Sequence, residues 1–180
     1  MNHGKIEAGV RLILAGLGCN TKDRNYAETP ERVARMFEEV FTVKETEYAT
    51  FDETYADFIL LRRHQIWSFC PHHLLPVRFT TSVAYLPNGE VLGLSKLARV
   101  LSDCNTGPIL QEAYTREVVE RLCSIVSTKG AACYVEGVHG CMLLRGVKTS
   151  GDVVTSAFSG TFKTDARLQD RFFSLSGRTR

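Results

Sequence analysis

"RFTTSVAYLP", Arg78 to Pro87, decides the architecture. Together with the preceding Val77 it alternates, placing Val77, Phe79, Val83 and Tyr85 on one face of a strand, and "PNG" turns the chain immediately afterwards. The pattern on both sides has a different period. Upstream, residues 4–17 and "ETPERVARMFEEVF" read as helices; in the second, Thr29 can cap, Pro30 suits the first turn and Glu31 favours the positive helix end. Val33, Met36, Val40 and Phe41 would be its buried stripe. Downstream, "GLSKLARVL" and "ILQEAYTREVVERLCSIVS" are helical, the longer one through Leu110, Tyr114, Val118, Leu122 and Ile125, with Gly130 ending it. "AACYVEGV", "CMLLRGV" and "VVTSAFSGTF" return to strand character, and "DARLQDRFFSL" reads as a closing helix. This order predicts an α+β domain, an antiparallel sheet covered by helices on one face.

Bulk properties narrow the function. A chain of 180 residues with 44% hydrophobic content supports a real core, and a formal charge of +2 gives no electrostatic reason to expect nucleic acid. The basic runs "LRRH" and "GRTR" read as solvated faces. No apolar run reaches the roughly 18 residues of a membrane span, and Arg11 interrupts the apolar N-terminal stretch at helical rather than signal-peptide spacing. The expectation is a cytoplasmic protein without a membrane partner.

Six cysteines lack the spacing of a disulfide framework. Cys19, Cys104, Cys123 and Cys133 sit among apolar or helical residues and read as small packing groups. Cys70 and Cys141 differ, because each has histidine nearby: "SFCPHHLLP" gives C-x-x-H through His73, and "VHGCM" gives His139 and Cys141. Zinc takes thiolate and imidazole ligands, and catalytic sites leave one position to water. The two clusters are too far apart for a zinc finger and suit two strand ends or loops meeting over a sheet. Buried thiols with satisfied histidines, or a cysteine nucleophile activated by His72 or His139, are the competing readings. A zinc deaminase is disfavoured, since the chain has neither H-x-E nor P-C-x-x-C.

With both clusters placed, the chain resembles GTP cyclohydrolase I. The family's "TPxR" helix appears as "TPERVARM", its "C-E-H-H" motif as "CPHH", and its "AYIP…GLSK…R" block as "AYLPNGEVLGLSKLARV". Its "QE" pair appears as Gln111-Glu112, its "H-x-C…RG" as "HGCMLLRG", and its final "S…G.F" as "TSAFSGTF". The likeness runs over about residues 28–175, with motif order and separations as the family has them.

The resemblance implies a tunnel-fold unit: a four-stranded antiparallel sheet with helices on one face, over residues 51–180, preceded by a helical segment, residues 1–50. It implies ring-shaped homo-oligomers, a decamer of two pentamers, with sites at subunit interfaces. It further implies that GTP is opened at its imidazole ring, loses formate and recloses to 7,8-dihydroneopterin triphosphate, a pterin that feeds folate, biopterin or 7-deazaguanine synthesis. Carried over, Cys70, His73 and Cys141 would hold Zn²⁺, with His72 and His139 exchanging protons and Ser95 assisting ribose rearrangement. Glu112, helped by Gln111, would recognise guanine. Lys96, Arg99 and Arg145, with Arg32 from a neighbouring subunit and Arg35 as a weaker candidate, would meet the triphosphate. Two thiolates cancel the charge of Zn²⁺, so its water should be less acidic than on an all-histidine site, which makes a proton carrier important.

Each of these residues also has an ordinary reading. Arg32, Arg35 and Arg99 on helices suit a solvated face, Ser95 can cap its helix, and Glu112 suits a helix dipole. Four departures from the family stand out. Pro71 replaces the glutamate between Cys and His, Phe79 stands where a glycine is usual, and Gly107 and Ile109 replace an arginine and a glutamine. The N-terminal region is also short.

Overall fold

The computed structural model describes residues 1–42, 47–55 and 57–177, so the basic tail beyond Gly177 lies outside the described residues. The chain divides into two compact units, Met1–Thr42 and Val43–Arg180.

In the first unit, α1 (His3–Gly16) and α2 (Thr29–Phe41) pack together. Asn2 caps α1 through its side chain, which accepts from the Lys5 amide, and Gly18 leaves the helix at φ +76°. Thr29 is not the cap of α2. Glu28 occupies that position and makes no side-chain capping bond, while the Thr29 hydroxyl donates to the Asn25 carbonyl. The buried residues of α2 are Pro30, Ala34 and Phe41, and Met36 lies on the exposed side.

The second unit holds β1 (Thr50–Asp52), β2 (Ile59–Phe69), β3 (Pro76–Pro87), β4 (Glu90–Leu92), α3 (Leu94–Asp103) and α4 (Gln111–Ile125). These are followed by β5 (Thr128–His139), α5 (Gly140–Leu143), β6 (Val153–Phe158), α6 (Thr161–Thr164) and α7 (Ala166–Leu175). The main sheet is antiparallel, in the order β2-β3-β5-β6, and β1 pairs with β4 separately. The α+β architecture expected from the alternation around Arg78 is the one observed.

Val77, Phe79, Val83 and Tyr85 are all buried on the face that meets α3 and α4, with Leu97, Val100, Leu101, Tyr114, Val118 and Leu122 opposite. Each such side chain contributes roughly 1.5–3 kcal/mol of transfer free energy, which makes this layer the main source of stability. α6 and α7 cover one end of the other face, where Ala84, Ala132 and Tyr134 meet Phe162 and Phe172. Asp165 caps α7 by accepting from the amides of Arg167 and Leu168.

Three local expectations are corrected. "CMLLRGV" is not a strand: Gly140–Leu143 is a short helix followed by turns. α4 ends at Ile125, and Gly130 lies inside β5, where a Cβ would fall 2.6 Å from the Ser159 carbonyl oxygen. Cys123 is exposed rather than packed, its sulfur 3.1 Å from the Ser159 hydroxyl, whereas Cys104 and Cys133 are core residues. All six cysteines are free thiols. Among the described residues no helix is long and apolar enough to cross a membrane.

Candidate metal centre and active site

β2 and β3 are joined by a tight turn, and that turn carries the first cluster. The Cys70 amide donates to the Leu75 carbonyl at 2.9 Å and the Leu74 amide to the Cys70 carbonyl at 2.8 Å, with Leu74 at φ +51°. His72 and His73 therefore belong to a turn and not to a strand, so strand alternation does not separate their roles. Both stand exposed with Nδ1 3.8 Å from Cys70 Sγ, their rings edge-to-face at 6.3 Å.

β5 delivers the second cluster. Antiparallel pairing sets His139 opposite Val77, next to the turn, and the chain then enters α5, which begins at Gly140. A Cβ at Gly140 would fall 2.7 Å from the Pro76 carbonyl oxygen, so only glycine lets α5 start this close to the β2–β3 turn. Cys141 follows at once. Ligand atoms of Cys70, His73 and Cys141 lie within 4.8 Å of one another. Tetrahedral zinc with Zn–S of about 2.3 Å and Zn–N of about 2.0 Å needs ligand separations of about 3.5–3.8 Å, so the donor set fits a metal ion in kind and would draw in by up to about 1 Å around it.

The Cys141 thiol is pushed above the usual cysteine range, first by burial and then by its hydrogen bond to Cys70 and the charge there, with a backbone hydrogen bond and Arg145 pulling it down. Arg145, exposed after α5, sets its Nη1 2.9 Å from Nε2 of His73.

His139 is half-buried at the end of β5. Burial lowers its pKa, and the nearby Glu112 carboxylate acts in the opposite direction. Its Nε2 lies 2.7 Å from Gln111 Oε1, and Phe79, stacked on Tyr114 with centroids 5.0 Å apart, meets the imidazole edge-on at 6.2 Å. Gln111 is buried with its side chain turned inward, while Glu112, beside it, is exposed and lines a cavity of about 610 Å³ together with β6 and Lys163.

The remaining candidates are more dispersed. Ser95, Lys96 and Arg99 stand on α3, with Ser95 and Arg99 exposed; Gly93, not Ser95, is the cap of that helix. Arg32 and Arg35 belong to the first unit, where each pairs with a glutamate four residues earlier, Glu28 at 2.6 Å and Glu31 at 3.8 Å. Sequence reasoning passed over two residues that shape the site, Gly137 and Gly140. The signal was available in "VEGVHG", whose glycines flank the histidine on a strand otherwise rich in β-formers.

The description "GTP cyclohydrolase I" heads the family model that matches residues 6–177. The chain belongs to the GTP cyclohydrolase I family. A protein named GTP cyclohydrolase 1 from Rhodopirellula baltica is 38% identical over 184 residues, covering 99% of this chain and 80% of its own length. One from Caldanaerobacter subterraneus subsp. tengcongensis is 39% identical over 178 residues, covering 95% of each. Among solved structures, an archaeosine synthase QueF-Like in the apo form covers 59% of this chain and 97% of its own, with TM-score 0.48 and 22% identity. Family membership makes this chain an enzyme of that family, and its Cys70–His73–Cys141 group is one that can hold a metal.

Proposed function

We propose that this chain is a zinc-dependent GTP cyclohydrolase that opens the guanine imidazole ring, releases formate and yields 7,8-dihydroneopterin triphosphate. The observation that carries the reading is the convergence of Cys70, His73 and Cys141 within 4.8 Å, from segments far apart in sequence, in a member of this family. Zinc held by Cys70, His73 and Cys141 would supply Lewis-acid activation of water, weaker than on an all-histidine site because two thiolates cancel its charge, for attack on purine C8, a poor electrophile.

The chain's own groups do the rest. Glu112 accepts from the guanine ring N–H and amino group, a recognition that an exposed carboxylate lining a cavity can offer. Lys96, Arg99 and Arg145 meet the triphosphate, joined by Arg32 and Arg35 through assembly with other subunits. His139 and His72 move protons at the ring as it opens, and Ser95 assists the ribose rearrangement that follows. Homo-oligomerisation into a decamer of two rings, and a cytoplasmic location, complete the reading.

A second reading has one observation behind it: Phe79, where the family usually has glycine, presses its ring against His139. Such a chain would complete ring opening and stall before reclosure. Zinc-loaded protein incubated with GTP separates the two. Formate with a fluorescent pterin supports the full reaction; an accumulating formamidopyrimidine supports the second; no turnover of GTP at any zinc loading defeats both.

A further inference from the structure

We infer that Gln111 is a positioning residue that fixes the tautomer of His139, so that the neutral ring carries its proton on Nε2 and turns the Nδ1 lone pair to the other side. The orientation of the Gln111 amide follows from its neighbours. Its nitrogen faces three oxygens: the Val135 carbonyl at 3.1 Å, the Val153 carbonyl at 2.9 Å and the Thr155 hydroxyl at 3.1 Å. Two of these are carbonyls and only accept.

The hydroxyl can only accept as well. The Thr115 hydroxyl donates its single proton to the Gln111 carbonyl at 2.7 Å, so across the 2.6 Å Thr155–Thr115 contact the donor must be Thr155. With its proton committed, Thr155 presents only lone pairs to Gln111. A flipped amide would set Oε1 against three acceptors, so the amide is locked with Oε1 toward His139.

That oxygen cannot donate, so His139 Nε2 must carry the proton across their 2.7 Å contact. In the neutral ring Nδ1 is then the nitrogen with the free lone pair. Two further features hold the arrangement. Gly137 lies on the same strand face two residues before His139, where a Cβ would overlap Gln111 Oε1 and lie 2.9 Å from His139 Nε2; the pair occupies space that only glycine leaves. Phe79 braces the ring edge from the next strand. Gln111 thus spends its hydrogen-bonding capacity inside the protein, leaving guanine recognition to Glu112.

The kinetic consequence rests on the reading of His139 as a proton-handling group, whereas the tautomer does not. The full-length, zinc-loaded protein labelled with ¹⁵N-histidine has five histidines, and His139 is assigned by the signals lost in His139→Asn. The wild-type spectrum is expected to show a protonated, pyrrole-type Nε2 and a pyridine-type Nδ1 in the neutral ring; an Nδ1–H ring or an even mixture overturns the inference. Gln111→Met is expected to give a tautomer mixture and to lower kcat about 10- to 100-fold with KM for GTP within about twofold. Gly137→Ala, which displaces the amide without removing it, is expected to shift the same signals, and it decides the matter with the wild-type spectrum if Gln111→Met does not fold. Unchanged signals in both variants overturn the inference, as does a raised KM with kcat preserved, which would put Gln111 on the guanine. The expected wild-type tautomer in a protein that never turns over GTP upholds it and removes only the functional reading.

Discussion

His139 and His72 both stand beside the cysteines and both are assigned to proton transfer, yet they are mounted in opposite ways. His139 ends a long central strand, half-buried, with a glutamine on one nitrogen and a phenylalanine against its edge. His72 rides the turn between β2 and β3, exposed, with a cysteine sulfur 3.8 Å away as its polar neighbour. The strand side is oriented before anything binds, because its supports are core residues. The turn side is held by two backbone hydrogen bonds, and a metal on Cys70, His73 and Cys141 would complete its order.

The largest effect tests whether both sides must be present. Cys70→Ser on the turn and Cys141→Ser beyond the strand are each expected to lower GTP turnover at least about 1000-fold and to abolish stoichiometric zinc. Circular dichroism is expected to keep the native spectrum in both. If either variant instead unfolds the chain, the metal is a structural staple and the division into a braced side and a coordinated side loses its meaning.

Stability should separate the two sides more sharply than activity does. Phe79 is fully buried between Tyr114 and His139, so Phe79→Ala is expected to cost about 3–5 kcal/mol in denaturant unfolding. His72→Ala, at an exposed turn, is expected to stay within about 0.5 kcal/mol while turnover falls about 100-fold. A large stability loss at His72 would show the turn to be as tightly supported as the strand.

Gly140 joins the two sides. Gly140→Ala places a Cβ 2.7 Å from the Pro76 backbone oxygen, which cannot swing away, so α5 must retreat from the turn. The expected outcome is about 1–3 kcal/mol of destabilisation and roughly tenfold weaker zinc binding, measured by competition with a chromophoric chelator. Unaltered zinc affinity would mean that the turn follows α5 without resistance.

The same contrast explains what the sequence could reveal. β3 was legible because one face is wholly buried, and its period of two survives as an apolar–polar pattern. The two Cys/His clusters were legible because C-x-x-H and H-x-C are local spacings, and their convergence is what the structure adds. "CMLLRGV" was misread because a short apolar run fits a strand or a helical turn equally; the choice was made by Gly140 meeting the Pro76 carbonyl, a contact between residues remote in sequence. The inward turn of Gln111 was hidden for a related reason. A residue at the start of α4 can point outward, and its inward turn depends on carbonyls of β5 and β6 that no helical periodicity records. Met36 and Ala34 exchanged places on α2 because hydrophobicity ranks methionine above alanine, while close helix packing favours the smaller residue.

The smallest effect uses a histidine outside the site. His64 sits on β2 just beyond an irregularity in its pairing with β3, where Arg63 adopts φ +57°, and burial alone lowers its pKa below the ordinary value. The folded state therefore binds its proton less readily than the unfolded chain does. The stabilisation this represents is complete above the unfolded pKa of about 6.5 and is lost as pH falls toward the lower folded value. Because the ring is only part-buried, the change should be small, visible as a shallow slope in unfolding free energy as pH falls below about 6.5. His64→Gln is expected to flatten that slope and leave turnover of GTP unchanged. If the slope survives the substitution, the protons responsible are taken up elsewhere, and the coordinated turn rather than the core-supported strand becomes the first place to look.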